Sequence, residues 1–111
     1  MVRVTICGQA IKTKLARSFF SRLLGLIGKK PKPGEALLII PCKQVHTFFM
    51  QAPIDVIYID RKGEVVKYFP GVRPRRILPF SSKTHMVLEL WAGTLPEITE
   101  EAKISLKWQE L

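Results

Sequence analysis

Acidic side chains are absent from the first third of this chain. No Asp or Glu precedes Glu35, whereas Arg3, Lys12, Lys14, Arg17, Arg22, Lys29, Lys30 and Lys32 all do. Long hydrophobic runs are absent as well. The longest aliphatic stretch, residues 36–40, stops at Pro41, far short of the ~20 residues that a membrane-crossing helix needs. The opening residues 1–7 are too few for the apolar region of a secretion signal, so a cytoplasmic chain with no membrane partner is expected. Cysteine is scarce: Cys7 and Cys42 make no disulfide framework, and in a reducing compartment both should be thiols. The 111 residues are 47% hydrophobic and 24% charged, which excludes a disordered polar chain and leaves room for one domain over residues 1–111.

The charge that is present is mostly of one sign. Eighteen Lys and Arg against nine Asp and Glu give +9. A second basic block runs from Arg61 to Lys83 with Glu64 as its one acid, while Glu97, Glu100, Glu101 and Glu110 gather near the end. A polarised field of this kind concentrates anions, whether small metabolites or nucleic acid. A nucleic-acid surface would use Lys12, Lys14, Arg17, Lys29, Lys30 and Lys32 with Arg73, Arg75 and Arg76. No recognition helix, zinc-finger spacing or RNA-binding aromatic signature accompanies them, so such binding would be driven by phosphate contacts and would be strongly salt-dependent.

Hydrophobic patterning predicts a mainly β domain. Val2, Val4 and Ile6 alternate with Arg3 and Thr5, and Gly8 with Gln9 turns the chain into a second short strand near Ile11. From Ala16 to Ile27 the period becomes helical, with Phe19, Leu23 and Leu26 on one face. Lys29, Lys30, Pro31, Lys32, Pro33 and Gly34 form an exposed connection. Further strands are expected at 35–40, 45–50, 54–60, 64–69, 86–91 and 104–108. Thr94 and Glu97 fit a capping box for a short helical turn. About seven short strands and one helix favour an antiparallel sandwich or small barrel over a sheet of parallel crossovers.

Polar residues interrupt the apolar pattern between Pro41 and Asp60. If Gln51 and Ala52 make a tight hairpin bend, His46, Phe48, Met50, Asp55 and Ile57 share one face. A carboxylate on that face requires a partner, and His46, Thr47 or Arg22 could supply it. Each residue also has a plainer reading: Asp55 as an acceptor for backbone donors in a turn, His46 as a hydrogen-bonded core or rim residue, Glu89 as an outward side chain on an alternating strand.

Three segments occur in order: Ser21, Arg22, Leu23, Leu24, Gly25 and Leu26; then Cys42, His46, Thr47, Phe48, Phe49, Met50, Pro53, Ile54, Asp55 and Val56; then Val87, Leu88, Glu89, Leu90, Trp91, Ala92 and Gly93. Together they resemble the prokaryotic family known as domain of unknown function 192, over about residues 15–108. The resemblance implies a compact, mostly β, sandwich-like domain with a short helix and no established activity. Its polar positions would be Arg22, His46, Thr47, Asp55 and Glu89. The chain departs from the pattern at Ile27 and Trp91, where Met and Pro are expected.

The function expected from these features is binding of a small anionic or polar ligand, with Arg22 as a planar fork and His46 with Asp55 for orientation or proton transfer. Ser21 and Thr47 carry no signature of an activated nucleophile, so whether the protein is an enzyme stays open. No cofactor is expected. A metal site of Cys42, His46 and Met50 is disfavoured, because four-residue spacing aligns ligands on a helix, not a strand. Catalytic cysteine chemistry at Cys42 with His46 has no further support, and the oligomeric state is not written in the sequence.

Overall fold

Alternation of branched aliphatic and polar residues produces β1 (Val2–Ile6), whose Val2, Val4 and Ile6 are buried while Arg3 is exposed. Gly8, at φ +80°, turns the chain into β2 (Gln9–Ala16). In this computed structural model, residues 2–6, 8–16, 34–48, 50–94 and 104–108 are described. The remaining strands are β3 (Glu35–Ile39), β4 (Ile54–Ile59), β5 (Val65–Val72), β6 (Met86–Trp91) and β7 (Ile104–Trp108). They form one sheet in the order β5-β4-β6-β3-β2-β1-β7. Among the described residues there is no helix.

The sheet curls until its edges meet. The Ile104 N–H in β7 donates to the Gly63 carbonyl just before β5 at 2.9 Å. One apolar cluster takes residues from every strand, including Val4, Ile11, Leu38, Ile57, Val65, Leu88 and Ile104. That face is therefore the inside of the curl. The outer face carries a second cluster of Leu37, Ile39, Ile54, Val56, Tyr58 and Val87, covered by Val45 and Leu78. With both faces covered, β4 is buried along its whole length, as continuous apolar runs in central strands are.

The mainly β expectation holds, and its details are corrected. Of the expected antiparallel sandwich or small barrel, the single curled sheet excludes the two-sheet sandwich, and the sheet is mixed instead of antiparallel, because β2 and β3 run parallel with Lys12 opposite Glu35 and Ala16 opposite Ile39. Ala16, expected to open the helix, ends β2; the remainder of that helix lies outside the described residues. Residues 45–50 form no strand. Their backbone pairs with a distant segment: Leu78 N–H donates to Val45 O at 3.1 Å, and His46 makes an isolated bridge to Ile77. The hairpin with β4 accordingly does not form. β5 extends past Phe69 through Pro70 to Val72, tolerable because it is an edge strand and a missing donor can face away from the ladder. The Thr94 hydroxyl donates back to Trp91 O at 2.6 Å, and Glu97 lies outside the described residues.

Gly63 carries the meeting of the two edges. Its φ is +84°, and a Cβ there would stand 2.7 Å from the Ile104 carbonyl oxygen. Gly63→Ala combines left-handed strain with a backbone clash and should destabilise the fold by about 2–4 kcal/mol. Gly71→Ala, at φ +57° with open space around the added methyl, should cost about 1 kcal/mol. Equilibrium urea unfolding of both variants checks the order.

Candidate functional site

Thr47 is fully buried and ties two loops together. Its N–H donates to Arg76 O at 2.8 Å, and its carbonyl accepts from Arg75 N–H at 3.0 Å. Its hydroxyl donates to Arg73 O at 2.7 Å and accepts from Arg76 N–H at 2.9 Å. Four bonds from one residue thus fix the backbone of residues 73–76. The segment needs them: Pro74 removes a donor, and Arg75 sits at φ 66°, a left-handed conformation that costs a non-glycine residue about 1–3 kcal/mol.

The fixed loop forms one wall of an open groove of about 680 Å³ lined by Phe48, Met50, Gln51, Arg73, Pro74, Arg75 and Arg76. Three guanidinium groups border it, with no acid among the described lining residues. Guanidinium forks suit carboxylate and phosphate geometry. Phe48 is 47% exposed beside them, its ring 5.2 Å from that of His46. His46 is half-buried, and its Nδ1 accepts a long 3.4 Å contact from Phe48 N–H. A second hollow of about 310 Å³ mixes charges, with Asp60 and Glu64 among Arg61, Lys62 and Lys83; Lys43 there is tied to Ser82 O and Thr84 O at 2.7 and 2.8 Å.

The expected polar set is not gathered at one point. Asp55 points to the inner face, opposite Leu90 and in step with Ile57 and Ile59. There its Oδ1 accepts from Gly71 N–H at 2.8 Å, satisfying the amide that follows Pro70 at a break in the β4–β5 register. Tyr68 lies beside it: burial raises the phenol pKa first, and the charge of Asp55 and a hydrogen bond to it add to the rise. The 42–50 segment, with His46, covers the other face. Glu89 is also on that outer face, between Leu37 and Val56 on the neighbouring strands. It is 2% exposed, and its Oε1 has no hydrogen-bond partner among the described residues. Burial pushes its carboxyl up to about 7. Arg22, Arg17, Lys29, Lys30 and Lys32 lie outside the described residues.

A family model for domain of unknown function 192, described as "Uncharacterized ACR", matches residues 2–106. The chain belongs to that family. Among the relatives of this DUF192 chain is the UPF0127 protein PH1112 of Pyrococcus horikoshii, 31% identical over 102 residues, with 87% of each chain covered. A UPF0127 protein of Thermococcus sibiricus is 30% identical over 104 residues, covering 88% of this chain and 66% of the relative. The crystal structure of a protein of unknown function from Novosphingobium aromaticivorans superposes with a TM-score of 0.76 at 19% identity, covering 96% of this chain and 85% of the other. That likeness shows the fold of a DUF192 domain.

Phe48, Met50, Gln51 and Pro74 were not singled out by the sequence as groove residues. An exposed aromatic is indistinguishable from a core one by period alone, and the hydrogen bonds described between residues 73–76 and residues 47–51 run through the buried Thr47. The signal available was a polar Thr in an apolar stretch and a Pro-containing basic loop whose backbone groups need partners.

Two predictions follow from this DUF192 geometry. Thr47→Val leaves the Arg76 amide and Arg73 carbonyl without their hydroxyl partner and should cost about 1–3 kcal/mol, with amide hydrogen exchange at Arg76 accelerated more than in the sheet. For Glu89, the folded pKa lies above the unfolded value near 4.5. Between these values the folded state binds more protons than the unfolded state, so stability falls as pH rises from about 4.5 to about 7 and then levels off. Glu89→Gln should abolish this slope and raise stability by about 2–3 kcal/mol at pH 8 with little change at pH 4, as read by denaturant unfolding across pH.

Proposed function

We propose that this protein is a cytoplasmic binding protein for a small anionic ligand, held in the groove between Phe48 and the arginines at positions 73, 75 and 76. The observation that carries this reading is the set of four hydrogen bonds from Thr47 that hold Arg75 in its left-handed conformation. A strained backbone fixed by a buried polar residue holds the main-chain positions of three exposed arginines in place, which lowers the backbone ordering entropy lost on binding. Thr47 is then a positioning residue, and His46 supports the ring of Phe48. Asp55 serves the Gly71 amide, and Glu89 is not among the residues that line the groove. A helix after Ala16 would provide the crossover that the parallel β2–β3 pair requires.

The nucleic-acid alternative draws on the same three arginines, but its other described members stand elsewhere. Lys12 and Lys14 are on β2, which is not next to β5 either along the sheet, where β3, β6 and β4 intervene, or across the meeting of its edges, where β1 and β7 do. A compact anion fits the groove better than a long polyanion fits this divided surface.

The test is thermal unfolding at low ionic strength with inorganic phosphate, pyrophosphate or citrate. A ligand at about a hundred times its Kd stabilises by ~2.7 kcal/mol, a rise of several degrees in Tm for a domain of this size. Wild type should show that rise with at least one of the three anions, and Arg73→Ala/Arg75→Ala/Arg76→Ala should not. No rise with any of them, or a rise that survives the triple substitution, refutes the reading.

A further inference from the structure

We infer that the anion bound in the groove is a nucleoside monophosphate whose base lies on Phe48, an inference that rests on the anion-binding reading above. The groove, about 680 Å³ and open to solvent, has room for more than a lone phosphate or carboxylate. Its chemistry is divided. Arg73, Arg75 and Arg76 supply charge, while Phe48, Met50 and Pro74 are apolar and Gln51 adds one amide. The ligand therefore carries a body beyond its anionic group, and that body presents apolar surface.

Phe48 narrows the class further. It is one of three large hydrophobic residues left exposed among the described residues, the others being Ile77 and Phe80. Thr47, which fixes the arginine loop, is its neighbour in the chain, and its ring packs at 52° against His46. The ring thus packs against His46 on one side while the residue as a whole stays nearly half exposed. A flat π-system can stack on such a ring, and the polar edge of a nucleobase can hydrogen-bond to the Gln51 amide, an exposed side chain at the bend before β4. Sugar phosphates offer no flat face to Phe48, and long-chain acyl anions offer nothing to Gln51.

Titration calorimetry at low salt with AMP, ribose 5-phosphate and inorganic phosphate tests this. AMP should bind the wild type roughly 5- to 150-fold more tightly than ribose 5-phosphate, the range that stacking of a base on an aromatic side chain supports. Phe48→Ala should bring AMP to within about twofold of ribose 5-phosphate while leaving ribose 5-phosphate unchanged, and Phe48→Tyr should restore the gap. Equal affinities for AMP and ribose 5-phosphate in the wild type, or equal losses for both in Phe48→Ala, overturn the nucleotide inference and leave the anion site standing. Absence of binding by all three, phosphate included, overturns the anion site itself. A single-stranded oligonucleotide that binds far more tightly than AMP, and loses that advantage steeply with salt, overturns the assignment to a free nucleotide.

Discussion

Aliphatic side chains from every strand fill the inside of the curled sheet, and this filling dictates where polar groups can stand. Such a core leaves no room for solvent or ligand, so a polar residue pointing inward must be satisfied by the protein itself. Thr13 donates to Ile11 O at 3.0 Å, and Asp55 takes the Gly71 amide and lies beside Tyr68. Binding chemistry is thereby displaced to the rim and to the segments that lie over the outer face. The groove beside residues 73–76 occupies such a position.

Stability and function are coupled at this rim through the buried Thr47. A loop containing Pro74 and a left-handed Arg75 would, if loosely held, sample many conformations and lose entropy on closing around a ligand. Both the hydroxyl and the backbone of Thr47 constrain it, so the guanidinium groups stand on a frame that belongs to the core. Glu89 contrasts with this. It too is buried, yet its Oε1 has no hydrogen-bond partner among the described residues, so burial opposes its ionisation near neutral pH in return for no contact that the described residues reveal.

Much of the sheet was legible because its signals are local. The alternation of Val2, Val4 and Ile6 marks a half-wet strand, and the unbroken apolar run at residues 36–40 marks β3 as a strand covered on both faces. What escaped is non-local. Val45, Phe48 and Met50 look like strand residues by composition, yet the backbone of Val45 and Thr47 is paired with residues 75–78 and the Met50 amide turns back to the Thr47 carbonyl, and no periodicity within 45–50 records that. Asp55 was visible as a carboxylate on an apolar face needing a donor; the donor proved to be the Gly71 amide after Pro70. Glu89 does face outward, as alternation suggests, but the outer face is itself covered, and strand patterning carries no trace of a cover supplied from elsewhere in the chain. For the groove, the arginines at 73, 75 and 76 and the residue Thr47 were each legible, whereas their union was not.

The contact between Ile104 and Gly63 bears on how the molecule behaves among its own copies. Exposed strand edges are templates onto which another chain can add. Here the outermost strands, β5 and β7, approach at one end, and farther along β5 the ladder is interrupted by Pro70, which has no amide hydrogen to offer, and by Gly71, whose amide is already taken by Asp55. Pro70 thus offers a foreign strand no amide hydrogen along this part of β5. A sheet rich in valine, isoleucine and leucine, the composition most prone to fibrous association, carries its own protection against self-stacking in a handful of backbone groups.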